Sequence, residues 1–116
     1  EMILGVKTGP GKNYFSPVVL QPTDLGRWIF LVTVYDHQKQ EVVHYLDGVA
    51  VSHHKIENPI PLVIGPAEIG NWRPQEHSGA HSIRSLNGRL DEFALFGRAL
   101  SADEILQLYQ SGKPNS

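Results

Sequence analysis

Residues 28–35, WIFLVTVY, are all β-branched, aromatic or otherwise apolar, with one threonine the only polar member, and they decide the fold class. Such a run, eight residues long, fits a strand better than a helix. Both of its faces are apolar, so it is expected to lie centrally, covered on both sides, with Trp28 supplying core area at its start. Residues 36–40 (DHQKQ) form a polar turn, and 42–46 (VVHYL) resume the apolar pattern. Asp47 and Gly48 then separate 42–46 from 49–51 (VAV). Asp-Gly between two apolar runs is a strong hairpin signal, because a type I′ turn needs positive φ at both central residues.

Outward from this centre, 2–6 (MILGV) is a short apolar run that stops at Gly9, Pro10 and Gly11. Tyr14, Phe15, Val18, Val19 and Leu20 suggest a second strand, interrupted by Pro17, which cannot donate to a ladder. Residues 60–64 (IPLVI) and 89–96 (RLDEFALF) read as two further strands. Between them, 66–87 is long, polar and rich in turn residues. The C-terminal segment changes character. Residues 101–104 (SADE) form a capping box, and Leu100 and Ile105 occupy the hydrophobic-staple positions. Ile105, Leu108 and Tyr109 make an apolar stripe at helical spacing, with Gly112 placed to end the helix. Strands about a dozen residues apart with turns between them predict an all-β, antiparallel sandwich with one short C-terminal helix, in a single domain spanning 1–116.

Composition narrows the function. The 116 residues contain no cysteine, which removes disulfides, thiolate metal sites and cysteine nucleophiles. Ten basic against twelve acidic residues leave no basic excess for a nucleic-acid binder. No run approaches the roughly 18 apolar residues of a membrane-spanning helix, so membrane insertion of this segment is not expected.

Three segments together resemble the LamG-like jelly-roll family, the concanavalin A-like lectin/glucanase fold. They are Gly26-Arg27-Trp28 running into 32–36 (VTVYD); 44–48 (HYLDG) followed by 61–65 (PLVIG); and 87–105 (NGRLDEFALFGRALSADEI). His44 and Tyr45 before Leu46-Asp47-Gly48, together with 68–72 (EIGNW), look more narrowly like the LamG domain at the C-terminus of bacterial FecR-type regulators. The resemblance implies a non-catalytic, extracytoplasmic binding module, periplasmic or cell-surface, for a carbohydrate or protein ligand. A structural or assembly domain of a FecR-type regulator is the alternative, and a polysaccharide-active enzyme a third reading. The resemblance also implies strands preceding the matched part. A half-length sandwich would leave edges and apolar faces uncovered, so a homodimer, or completion by another chain segment, is expected.

Site residues follow from chemistry. Related glycosidases place a glutamate two positions before an aspartate on one strand face, and this chain has no such pair. Asp91 and Glu92 are adjacent, so on a strand they would point to opposite faces and could not flank one substrate. They are expected to tie strand ends, or Arg89 and Arg98. No catalytic residue is therefore assigned. His77 and His81 have i, i+4 spacing but straddle Gly79 in a loop-like region, without an HExxH pattern. No cofactor is expected. Calcium, bound by some relatives, would find one carboxylate (Glu68) and one amide (Asn71) in 65–71, a poor match to its need for 6–8 oxygens. Trp72, Arg73, His77 and His81 form the candidate ligand-binding surface, because aromatic rings stack on sugar faces and loops on a rigid scaffold carry function.

Overall fold

The computed structural model describes residues 4–7, 12–67, 69–70 and 86–113. The chain divides into two compact units, one of Glu1–Leu62 with Phe96–Ser116 and one of Val63–Leu95. Among the described residues, the first holds every regular element. These are β1 (Gly5–Lys7), β2 (Asn13–Phe15), a 3-10 turn (Pro22–Asp24), β3 (Leu31–Asp36), β4 (Glu41–Leu46), β5 (Val49–Lys55) and the helix α1 (Ala102–Gly112). β1 and β2 form an antiparallel ribbon, and β3, β4 and β5 an antiparallel sheet in that order.

β4 is the centre of this unit. Four consecutive side chains of it, Val42, Val43, His44 and Tyr45, are buried. Because neighbours on a strand point to opposite faces, burial of all four requires a layer on each side. On one face Val43 and Tyr45 join Val34 and the fully buried Ile105 of α1, with Phe30, Val32, Ala99 and Leu100 packed around them. On the other face Val42 clusters with Tyr14 of the ribbon and Ile56, flanked by Val6 and Tyr35. The ribbon thus covers one face of the sheet and the helix covers the other. A central strand buried on both faces carries a near-continuous apolar run instead of an alternating one, and the sequence 42–46 has that form.

This arrangement corrects the expected place of residues 28–35. β3 begins at Leu31 and pairs only with β4, so within this sheet it is an edge. Trp28 precedes the strand and is 48% exposed. The apolar run is real, but the strand with a neighbour on each side and a layer on each face is β4.

The turn and the helix follow their sequence signals. Asp47 and Gly48 have φ of 51° and 83°, the positive pair of a two-residue hairpin, and join Leu46 to Val49. The Ser101 Oγ accepts from the Glu104 backbone N–H at 3.2 Å, and the Glu104 carboxylate accepts from the Ser101 N–H at 2.8 Å. Glu104 also receives both Arg98 nitrogens, at 2.6 and 3.0 Å. Arg98 first and the Ser101 N–H second hold its carboxyl down to about 2. Arg98 was expected to pair with Asp91 or Glu92; the capping glutamate takes it instead, being fixed in place by the helix start. Leu100 packs with Ile105 as the staple requires. Two details differ. Gly112 is the last helical residue, and Lys113 at φ −62° closes the helix without a left-handed glycine. Leu108 is as exposed as Leu106, both at 39%; Leu106 and Tyr109 lie against Gly48, and Tyr109 stacks on Phe30 at 5.9 Å.

The unit Val63–Leu95 contains no strand among its described residues. The Gly70 carbonyl accepts from the Leu86 N–H at 2.7 Å, and Gly70 has φ 74°. Val63, Ile64, Leu90, Phe93 and Leu95 are all more than half exposed. Residues 60–64 and 89–96 were expected to be strands and are not. An apolar run becomes a strand only with a ladder partner to receive its backbone groups, and neither segment is paired in a sheet. Of the sandwich, the described residues show a two-stranded and a three-stranded sheet facing one another, with the helix behind.

A Cβ built on Gly48 would lie 3.1 Å from both Leu106 Cδ1 and Tyr109 Cδ1, at a φ that L-residues rarely adopt. Gly48→Ala is expected to lower stability by about 1–3 kcal/mol, read as a reduced urea midpoint. An unchanged midpoint would mean that the helix does not rest on the turn.

Candidate functional site

The residues selected for ligand binding, Trp72, Arg73, His77 and His81, lie outside the described residues, as do Glu68 and Asn71 of the calcium reading. Asp91 and Glu92 are exposed in an irregular segment. Within the described residues the polar groups gather in two places.

The first surrounds Arg27. Its Nη1 donates to Asp47 Oδ2 at 2.7 Å, and its Nε and Nη2 donate to Asp24 Oδ1 at 3.1 and 2.9 Å. Asp47 Oδ1 accepts from the Phe30 N–H at 2.9 Å, and the Asp47 N–H donates to the Phe30 carbonyl at 2.8 Å. The Gln21 N–H on Asp24, followed by Arg27, lowers the Asp24 pKa; Asp47 and then Asp24 raise that of Arg27. The cluster ties the approach to β3 to the β4–β5 turn. A carboxylate pair already neutralised by a guanidinium is poorly suited to a divalent cation. No group of three or more potential ligands occurs among the described residues.

The second place lies between the sheet and the ribbon. His44 is fully buried. Its Nε2–H donates to the Tyr14 carbonyl at 3.0 Å, and its Nδ1 accepts from the Thr33 hydroxyl at 3.0 Å; this tautomer is the one that satisfies both neighbours. His54 of β5 donates from Nε2 to the next carbonyl, that of Phe15, at 2.9 Å. The two imidazoles are 6.1 Å apart, centroid to centroid, and His54 is 5.9 Å from the Tyr14 ring. Burial, and secondarily His54, lowers the pKa of His44 against the opposing pull of the Tyr14 carbonyl. His53 faces the other way and pairs with Glu41 at 2.7 Å.

Hydroxyl, imidazole and carbonyl in series have the connectivity of an activated nucleophile. Here a neutral peptide carbonyl stands where a carboxylate would stabilise the imidazolium, and the ring is sealed from solvent. The arrangement suits clamping better than proton transfer. Sequence reading gave His44 no role; the available signal was a histidine inside the otherwise apolar run 42–46, a position that demands partners for both ring nitrogens.

Comparison with known proteins agrees with this fold. The Concanavalin A-like lectin/glucanases superfamily matches residues 3–106. A crystal structure of an S-layer domain-containing protein (residues 221–444) from Clostridium thermocellum superposes with a TM-score of 0.62 at 26% identity, covering 84% of this chain and 45% of that one. This chain therefore spans less than half the length of that relative. No curated protein matches.

Ser52 lies opposite His44 in the β4–β5 ladder, and its Oγ is buried without a hydrogen-bond partner among the described residues. Leaving such a hydroxyl unpaired costs about 1–3 kcal/mol. Ser52→Ala is therefore expected to raise thermal stability, by up to about 1 kcal/mol once the lost contacts are offset. A drop in melting temperature would show that the hydroxyl has a partner.

Proposed function

The chain belongs to the concanavalin A-like lectin/glucanase superfamily, and from that premise we propose that it is a non-catalytic binding module displayed outside the cytoplasm. Its ligand, in this reading, is a carbohydrate, and Trp72, Arg73, His77 and His81 are the contact residues. The observation that carries the proposal is the family match over residues 3–106. The likeness to an S-layer domain-containing protein supports a cell-surface location. The lack of a glutamate-spacer-aspartate pair in the sequence supports a binding role over a hydrolytic one.

A second reading is favoured by the exposed apolar side chains Leu90, Phe93 and Leu95. It makes the chain a structural or assembly domain, such as that of a FecR-type regulator, joined to another segment or a second copy by strand pairing. Edge-to-edge strand addition uses main-chain hydrogen bonds and would organise such residues.

Glycan-array screening followed by titration calorimetry separates these readings. Binding to a polysaccharide that Trp72→Ala weakens about tenfold or more, as expected for an aromatic anchor, supports the module. Absence of binding across diverse polysaccharides, with self-association or capture of a strand-donating partner, supports assembly. Release of reducing ends from a β-glucan would contradict the non-catalytic reading.

A further inference from the structure

The β4–β5 register carries a consequence for the ribbon. From the two-residue turn the pairing runs Leu46 with Val49 and Tyr45 with Ala50; then Val51 is left over, and His44 pairs with Ser52. Beyond this bulge His53 lies opposite Val43 and His54 opposite Val42. In an unbroken ladder His54 would oppose Glu41 and share the helix-covered face. One extra residue reverses that assignment, so His54 shares the face of His44, and both imidazoles reach the ribbon.

We propose that His44 and His54 form an acid-released latch holding the β1–β2 ribbon on the sheet. The two rings donate to consecutive carbonyls of the same short strand, those of Tyr14 and Phe15. Among the described residues the ribbon's other ties are Tyr14 and Val6 in the apolar cluster with Val42 and Ile56, and the exposed pair of Lys12 with Glu57 at 2.6 Å. Among the described residues, the groups on the face of His44 are Tyr14 from β2, Thr33 and Tyr35 from β3, and Ser52 and His54 from β5. None is a carboxylate, and Glu57 is already engaged by Lys12. The helix lies on the opposite face of the sheet and contributes no charge.

An imidazolium at His44 would be buried, without a counter-ion, beside a second titratable ring. Its Nδ1 would turn from acceptor to donor, forcing the Thr33 hydroxyl to reverse. Lifting the ribbon returns both rings to water. The sign follows from linkage: His44 has its pKa lowered in the closed state, so the open state binds more protons. The closed state is therefore at full strength above the ordinary histidine range near 6.5. It loses ground as pH falls below that value, until the lowered pKa is reached. Opening uncovers Val42 and Ile56 and leaves the helix-covered face intact.

Amide hydrogen exchange on the whole 116-residue chain, corrected for intrinsic pH dependence, tests this between pH 7.5 and 5. The Ser16 amide donates to the Leu4 carbonyl within the ribbon, and a two-stranded ribbon off its sheet is marginal in water, so this amide should exchange faster by up to about tenfold per pH unit below about 6.5. Amides of β3 and β4 that report the helix-covered core should not follow. His44→Gln keeps a nitrogen donor where Nε2 stands and cannot titrate, so it should shrink the acceleration. Because that variant could fold poorly, the His44 ring is also titrated by NMR in the unaltered protein, where its midpoint should coincide with the shifts of the ribbon amides. Ribbon exchange independent of pH, acceleration identical in His44→Gln, or a ring midpoint unrelated to the ribbon shifts would each overturn the latch.

Discussion

The structure depends on the burial of one strand from both sides. β4 has Val43 and Tyr45 against the helix and Val42 and His44 against the ribbon. A two-stranded ribbon alone in water is marginal, and a three-stranded sheet needs its apolar faces covered. Two covering layers turn four consecutive side chains of β4, Val42, Val43, His44 and Tyr45, into core. The devices at its ends serve that geometry: the Asp47–Gly48 turn sets the register, and Arg27 locks Asp47 to the chain entering β3. The capping box aims α1 so that Ile105 meets the sheet. Each is a local interaction of modest strength, and their common effect is to hold two small layers against one strand.

A polar residue in that position is the unusual element. Replacing His44 with an aliphatic side chain would satisfy the hydrophobic effect more simply. Its imidazole directs a hydrogen bond at the ribbon, and the bulge at Val51 adds a second one through His54. The face toward the ribbon thus holds a buried imidazole, whereas the histidine on the opposite face, His53, is exposed and paired with Glu41. For the module proposed to work outside the cytoplasm, a latch of this kind would let one layer respond to pH while the other keeps the fold.

The sequence made the helix and the hairpin legible because both are governed by local chemistry. Ser101 and Glu104 contact each other across three residues, and Asp47-Gly48 specifies its own dihedral angles. The choice between β3 and β4 as the central strand was not legible. Both runs are apolar, and only pairing with β5 distinguishes them. For the same reason residues 60–64 and 89–96 looked like strands: their composition fits, but a ladder partner is a property of the rest of the chain. The bulge is invisible in the sequence, so the face occupied by His54 could not be assigned, nor its meeting with His44. The aromatic-and-basic site at Trp72, Arg73, His77 and His81 falls outside the described residues and keeps its standing as a sequence-based proposal.

The most direct test of double-sided burial is a set of nuclear Overhauser contacts from the methyl groups of two adjacent residues. The account predicts that Val42 methyls contact the Tyr14 ring and Ile56, and that Val43 methyls contact Ile105, with no shared partner between them. Val42 and Val43 both contacting Ile105, or Val42 lacking any contact with Tyr14, would contradict a strand enclosed between ribbon and helix.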